Sequence, residues 1–338
     1  MKKTLLIFSF LFSLFVMNTT ASYAQQSMFN DVSKDHWAIE EIEFLSSLDV
    51  IKGYNDGNFG PEDKIKRAQA AIMVVRALKL DIDNRPDPGF KDLDNNHYAY
   101  KEIATVVDEE IFPKTDYFKP NEELTRGDMA KLLVKSYDLT GRVNIEFEDI
   151  DYSNDLYSFV NTLYANRITT GYSDNTYKPQ NSVTRAQFSV FFARILNEQF
   201  KPSVINENFL ELASGGVLVG CNYSLENDVT AKEIVNDNGD PEWEGFYDGG
   251  YGRLYNGCVY YEDGFESEGL IQTIDIDGQL FNMSPEDIKT IIGDPDSEGF
   301  DDMTGEYYQK YLAGNYILTI YFEDSQSIAR AARLKLIP

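Results

Sequence analysis

Three arginines, Arg67, Arg126 and Arg185, stand 59 residues apart, and Pro61, Pro120 and Pro179 precede them at the same interval. Each arginine opens an apolar-periodic run and so falls in the first turn of a helix, where the macrodipole favours an acid. A guanidinium kept three times at an electrostatically unfavourable end points to work outside its own helix. Beside free N–H groups it can grip a carboxylate through two parallel hydrogen bonds. The alternative is a fastener, with each arginine paired to Asp31, Asp92 or Asp149 of a neighbouring unit. On the residues alone both readings stand.

The elements that hold these arginines recur with them. Phe29-Asn30-Asp31, Phe90-Lys91-Asp92 and Phe147-Glu148-Asp149 each begin a unit, so residues 28–82, 87–140 and 145–198 read as a tandem repeat. In the first unit Ile39, Ile42, Leu45 and Leu48 follow Asp35-His36-Trp37-Ala38 at helical intervals. Lys52-Gly53-Tyr54-Asn55-Asp56-Gly57-Asn58-Phe59 then supplies a tight loop. A second helix is predicted from Ala68 to Leu80, and in the third unit it carries Phe188, Phe191, Phe192 and Ile195. Each unit is therefore a helical hairpin. Thr125-Arg126-Gly127-Asp128 and Thr184-Arg185-Ala186-Gln187 have the form of capping boxes. Lys66-Arg67-Ala68-Gln69 lacks the side-chain acceptor, a loss of about 1 kcal/mol at that helix start.

Residues 1–24, with Lys2-Lys3, an apolar stretch from Leu5 to Met17 and Ser22-Tyr23-Ala24, read as a secretory signal peptide. The stretch is shorter than the ~20 residues that span a bilayer, so no membrane association is expected after cleavage. The net charge is −26, and from Lys201 onward 8 basic residues face 26 acidic ones. Such a surface repels phosphates, which argues against nucleic acid as a partner. Export gives Cys221 and Cys258, the only cysteines, a compartment where a disulfide between them persists.

The ordered landmarks Phe-x-Asp, His-Trp-Ala or His-Tyr-Ala, Gly-Tyr-x-Asp-Gly-x-Phe-x-Pro and Thr-Arg-Ala-Gln resemble the S-layer homology repeat over residues 28–198. The resemblance implies an all-α, pseudo-threefold spindle. It also implies non-covalent attachment to a secondary cell wall polysaccharide linked to peptidoglycan, at the surface of a Gram-positive-type bacterium. By the same resemblance Arg67, Arg126 and Arg185 meet an anionic pyruvyl ketal of the glycan, while Gly53-Tyr54 and Gly171-Tyr172 line the grooves between repeats. Arg185 with Gly171-Tyr172 is the best-matched set. In the second unit Phe112-Pro113 replaces Gly-Tyr, so its loop takes another path. Trp37, Tyr98 and Tyr157 read as matching helix-start positions and are expected to pack in the core.

Residues 203–338 change character, with strand-like runs at Gly257–Tyr261 and Tyr316–Phe322. Thr230-Ala231-Lys232-Glu233 and Ser284-Pro285-Glu286-Asp287, Gly239-Asp240-Pro241 and Gly293-Asp294-Pro295, and Glu244-Gly245-Phe246 and Glu298-Gly299-Phe300 all keep a spacing of 54. The expectation is an acidic α+β domain of two duplicated units, about 216–277 and 278–338, each a capped helix followed by antiparallel strands. This part resembles an uncharacterised extracellular domain of Gram-positive bacteria and, more loosely, the helix-plus-meander units of the β-lactamase inhibitor protein family. Both histidines, His36 and His97, lie in the repeats, which removes a Ser-His-Asp triad or a histidine zinc site from the C-terminal domain. Asp275-Ile276-Asp277-Gly278 begins like a calcium loop, but its glycine comes too early and it reads as a strand-ending turn. No catalytic residue, metal site or cofactor is expected. The predicted function is wall anchoring and display of an acidic binding module. A wall-anchored hydrolase and an S-layer lattice subunit are the alternatives.

Overall fold

The structure is a computed structural model and describes residues 27–337 except 142, 144, 173, 226–228, 248–249, 263–268 and 282. Residues 1–24, expected to be a signal peptide, lie outside the described residues. Six helices form three hairpins: α1 (Ile39–Ser47) with α2 (Arg67–Leu78), α3 (Tyr100–Asp108) with α4 (Arg126–Ser136), and α5 (Leu156–Ala165) with α6 (Arg185–Leu196).

The second helix of each hairpin packs on the first helix of the next, α2 on α3, α4 on α5 and α6 back on α1. The three units therefore close a ring around one core, to which Ile42, Leu45, Val74, Ile103, Leu133, Val160, Phe188 and Phe192 contribute fully buried side chains. Short backbone bridges at the centre, Lys66 to Glu123, Thr125 to Ser182 and Lys64 to Thr184, join each unit to the next. Leu48, expected on the apolar face, lies beyond α1 and is exposed.

The helix starts are closed by the neighbouring unit. The first two helical N–H groups donate to backbone oxygens across the ring: Arg67 and Ala68 to Glu122 and Pro120, Arg126 and Gly127 to Asn181 and Pro179, Arg185 and Ala186 to Asp63 and Pro61. The recurring proline thus does structural duty, presenting its carbonyl to an otherwise orphaned donor. Thr184 and Gln187 make the reciprocal box. Thr125 accepts from the Asp128 N–H at 3.1 Å, but Asp128 does not bond back, and the predicted second box is only half formed. Lys66, whose ammonium cannot accept, relies on Gln69 Oε1 alone, which takes the Lys66 N–H at 2.9 Å.

Beyond the ring come α7 (Phe209–Ser214), α8 (Ala231–Asn238), strands β1 (Trp243–Tyr247), β2 (Gly250–Tyr255), β3 (Cys258–Glu262) and β4 (Ile271–Asp277), then α9 (Pro285–Ile292) and β5 (Ser297–Phe300), β6 (Tyr307–Ala313), β7 (Tyr316–Phe322) and β8 (Ala329–Leu336). All eight strands form one antiparallel sheet in the order β1-β2-β3-β4-β8-β7-β6-β5. Its centre is the β4–β8 pair, in register from Thr273 opposite Lys335 to Asp277 opposite Ala331. Alternation along the strands buries Tyr260, Ile274, Ile276, Leu318, Ile320, Ala332 and Leu334 in a second core with Phe209, Ile234 and Ile288 from the helices. Both α8 and α9 start with a full capping box and end at a left-handed glycine, Gly239 (φ 76°) and Gly293 (φ 90°). Cys221 and Cys258 are bonded, with Cα atoms 5.7 Å apart. No helix among the described residues is long and apolar enough to cross a membrane.

Candidate functional site

Ring closure decides which loop each arginine meets. The Arg185 guanidinium lies 4.9 Å from the Tyr54 ring centre and 4.6 Å from that of Phe59, and its Nε and Nη2 donate to the carbonyls of Phe59 and Lys52 at 2.7 and 2.6 Å. Arg126 lies over Tyr172, Tyr177 and Phe191 at 4.8, 4.7 and 5.2 Å, with Nε donating to the Tyr177 carbonyl at 2.8 Å. Arg67 faces Phe112 and Phe118 at 5.2 and 5.3 Å and donates from Nε to the Phe118 carbonyl at 2.9 Å. Every arginine thus crosses a repeat boundary. The expected set of Arg185 with Gly171-Tyr172 does not form: Tyr172 belongs with Arg126, and Arg185 with Gly53-Tyr54.

Neither expectation for the arginines holds as stated. The N–H groups at the helix start are already occupied, so the guanidinium has no row of free donors beside it. The fastening partners are loop carbonyls, and the aspartates serve elsewhere. Asp31 accepts from the Phe59 and Gly60 N–H groups, Asp92 from Phe118 and Lys119, and Asp149 from Tyr177 and Lys178, all at 2.7–2.8 Å. These clamps fix each loop so that its carbonyl is aimed at the incoming arginine. Burial works against ionisation of Asp31, yet its loop N–H groups outweigh it and hold the carboxyl below the usual carboxylate range.

The arginines differ in what remains free. Arg126 and Arg185 are buried, at 4% and 3% exposure, and burial pushes the Arg185 guanidinium down. The terminal nitrogens of Arg126 have no hydrogen-bond partner among the described residues. Lys178 Nζ sits 4.2 Å from the centre of the same Tyr172 ring, tied to Asp174 at 2.9 Å. Arg67 instead forms an ion pair with Asp128 at 2.8 Å.

The glycines are steric. A Cβ on Gly53 would meet the Phe29 ring at 2.4 Å, and one on Gly171, which also has φ +72°, would meet the Phe147 ring at 2.2 Å. Tyr54 and Tyr172 close their loops by accepting chain reversal, donating their N–H to Asn58 and Thr176. Pro113, at the equivalent place, has no N–H, and Phe112 is buried where the other loops have glycine. Tyr54 also donates its hydroxyl to Asp63 Oδ2 at 2.8 Å. Asp63 and Lys178 were not singled out from sequence, and Asp128 was read only as part of a capping box, because their roles arise across the ring.

Two aromatic expectations are corrected. Trp37 and Tyr98 are 60% and 63% exposed and lie against His36 and His97. His36 and His97 Nδ1 and Asn154 Oδ1 accept the N–H of Ala38, Ala99 and Leu156, which aligns Trp37 and Tyr98 with Asp155. Tyr157 matches Ile39 and Tyr100, two residues further along the chain. Asp275 forms a two-point pair with Arg333 at 2.7 Å, and β4 ends at Asp277 before a short turn. No metal-holding group of carboxylates, histidines or cysteines occurs among the described residues.

Residues 29–71, 89–130 and 146–189 each match the S-layer homology domain. The chain carries three S-layer homology domains. It is 34% identical over 171 residues, 49% of its length, to the S-layer protein sap of Bacillus anthracis, of which it covers 21%. It is 33% identical over 205 residues, 57% of its length, to an endoglucanase of Bacillus sp. (strain KSM-635), of which it covers 22%. The chain spans about a fifth of the length of these curated relatives. A solved DUF4309 family protein of Bacillus subtilis is similar over 38% of this chain and 94% of its own, at 21% identity and TM-score 0.32. With its S-layer homology domains the protein is one of the Gram-positive-type cell surface.

Proposed function

We propose that the S-layer homology ring anchors the protein non-covalently to the wall by gripping an anionic, pyruvylated secondary cell wall polysaccharide, and so displays the acidic C-terminal module. The observation that carries this reading is Arg126, a buried guanidinium over aromatic faces whose terminal nitrogens are uncommitted. A carboxylate there would satisfy those donors and the charge at once. Tyr54 and Tyr172, aromatic with a hydroxyl, suit a sugar face and its edge. An S-layer protein and an endoglucanase both match this chain, and a shared wall-binding part fits relatives of such different names.

The C-terminal sheet divides into two halves, each a capped helix followed by four strands and meeting at β4–β8, and we read them as copies of one unit. Among the described residues it offers no histidine and no metal cluster. The endoglucanase relative favours one second reading, a hydrolase in residues 203–338, and clearing of purified wall by the full chain in a zymogram would establish it. Co-sedimentation with pyruvylated wall tests the anchor. Arg126→Gln and Arg185→Gln should each cut bound protein roughly tenfold, the ~1.4 kcal/mol of a lost charge-assisted contact, while Arg67→Gln leaves it unchanged. Circular dichroism of each variant separates this from unfolding. Unaltered binding of folded Arg126→Gln and Arg185→Gln would reduce the arginines to fasteners.

A further inference from the structure

We propose that the Asp128 carboxylate is an internal occupant of the groove between the first and second repeats, so that the chain offers an anionic ligand two grooves and holds the third shut. The inference rests on the polysaccharide reading above.

The three second helices differ at their third residue, which is Gln69, Asp128 or Gln187. Gln69 and Gln187 turn back, their Oε1 atoms accepting the N–H groups of Lys66 and Thr184 at 2.9 and 3.1 Å. Asp128 is one methylene shorter and charged. Its Oδ2 leaves its own helix and accepts from Arg67 Nη1 at 2.8 Å. A guanidinium holds a carboxylate in two-point fashion through its Nη1/Nη2 edge or its Nε/Nη2 edge. Asp128 takes a nitrogen of the first, and the Phe118 carbonyl takes Nε of the second.

An incoming carboxylate must therefore displace Asp128 against the repulsion of its charge. The Arg67 side chain is 15% exposed and that of Asp128 42%, so the aspartate lies toward the solvent side of the pair. Arg126 and Arg185 have no such carboxylate, since glutamine stands at the matching positions of their neighbours; Arg185 gives Nε and Nη2 to the neutral Phe59 and Lys52 carbonyls, and an incoming carboxylate there displaces no like charge. The loop agrees with this division. Pro113 stands where Tyr54 and Tyr172 offer a hydroxyl, and Phe112 fills the place of Gly53 and Gly171. The groove without a sugar-facing tyrosine is the one with its own anion.

Calorimetric titration of the full chain with a methyl hexoside bearing a pyruvyl ketal reads the number of sites. The wild-type protein and Arg67→Ala should both bind two equivalents, and Asp128→Gln should bind three. Glutamine is the residue the other two repeats carry and can make the missing half of the cap, so circular dichroism should report an intact fold. Two equivalents for folded Asp128→Gln, or one for Arg67→Ala, overturns the self-occupied groove and leaves the polysaccharide reading standing. No binding by any of the three proteins overturns both.

Discussion

Arg126 and Arg185 each carry two loads, since Arg126 fastens the next repeat through one nitrogen and Arg185 through two, on loop carbonyls, while each guanidinium lies over aromatic faces. The loop that receives them depends on its aspartate clamp. Asp31 is held below the usual carboxylate range by the N–H groups it accepts. Its unfolded value lies higher, near 3.8, so its contribution to stability is full above that value and is lost as pH falls through the lower, folded one. Asp31→Asn should therefore cost about 1 kcal/mol at neutral pH, a low figure because the carboxyl is largely exposed. Urea denaturation from pH 7 to pH 3 should show the gap between wild type and variant constant at first and narrowing below about pH 4. A gap that persists unchanged at pH 3 would remove the clamp from the account.

At the scale of elements, the helix starts separate what sequence could tell from what it could not. The spacing of Pro61, Pro120 and Pro179 with the arginines revealed three equal hairpins, since local periodicity and capping chemistry repeat within each unit. The half-made cap at Lys66 was also legible, because a lysine cannot accept. Lys66 has φ −85° and ψ 153°, close to Thr125 and Thr184 at their caps. Lys66→Thr should thus add about 0.5 to 1 kcal/mol and raise the melting temperature; an unchanged or lowered melting temperature would mean that the neighbouring unit already supplies the cap. Which loop each arginine meets was not legible, because it depends on α6 closing onto α1 across the whole ring. The same non-local fact explains Asp128, whose capping-box spacing was correct but whose side chain found a stronger partner in Arg67. Trp37 and Tyr98 misled for another reason, as an aromatic at a helix start reads as core until the facing helix is known. In the C-terminal half, strand runs such as Tyr316–Phe322 were evident from their β-branched and aromatic content, whereas the β4–β8 junction depends on pairing between residues far apart in the chain.

The whole molecule divides its labour between a ring whose buried arginines face its own loops and an acidic sheet domain. Eight basic against 26 acidic residues from Lys201 onward would keep that domain away from an anionic wall polymer and turn it outward. On the proposed anchoring, the ring would then supply the attraction through a few guanidinium contacts rather than through net charge. Retention on purified wall sacculi, before and after chemical removal of the pyruvyl ketals, is the most direct measurement. The account predicts firm retention on untreated sacculi and release from depyruvylated ones; equal retention on both would contradict it.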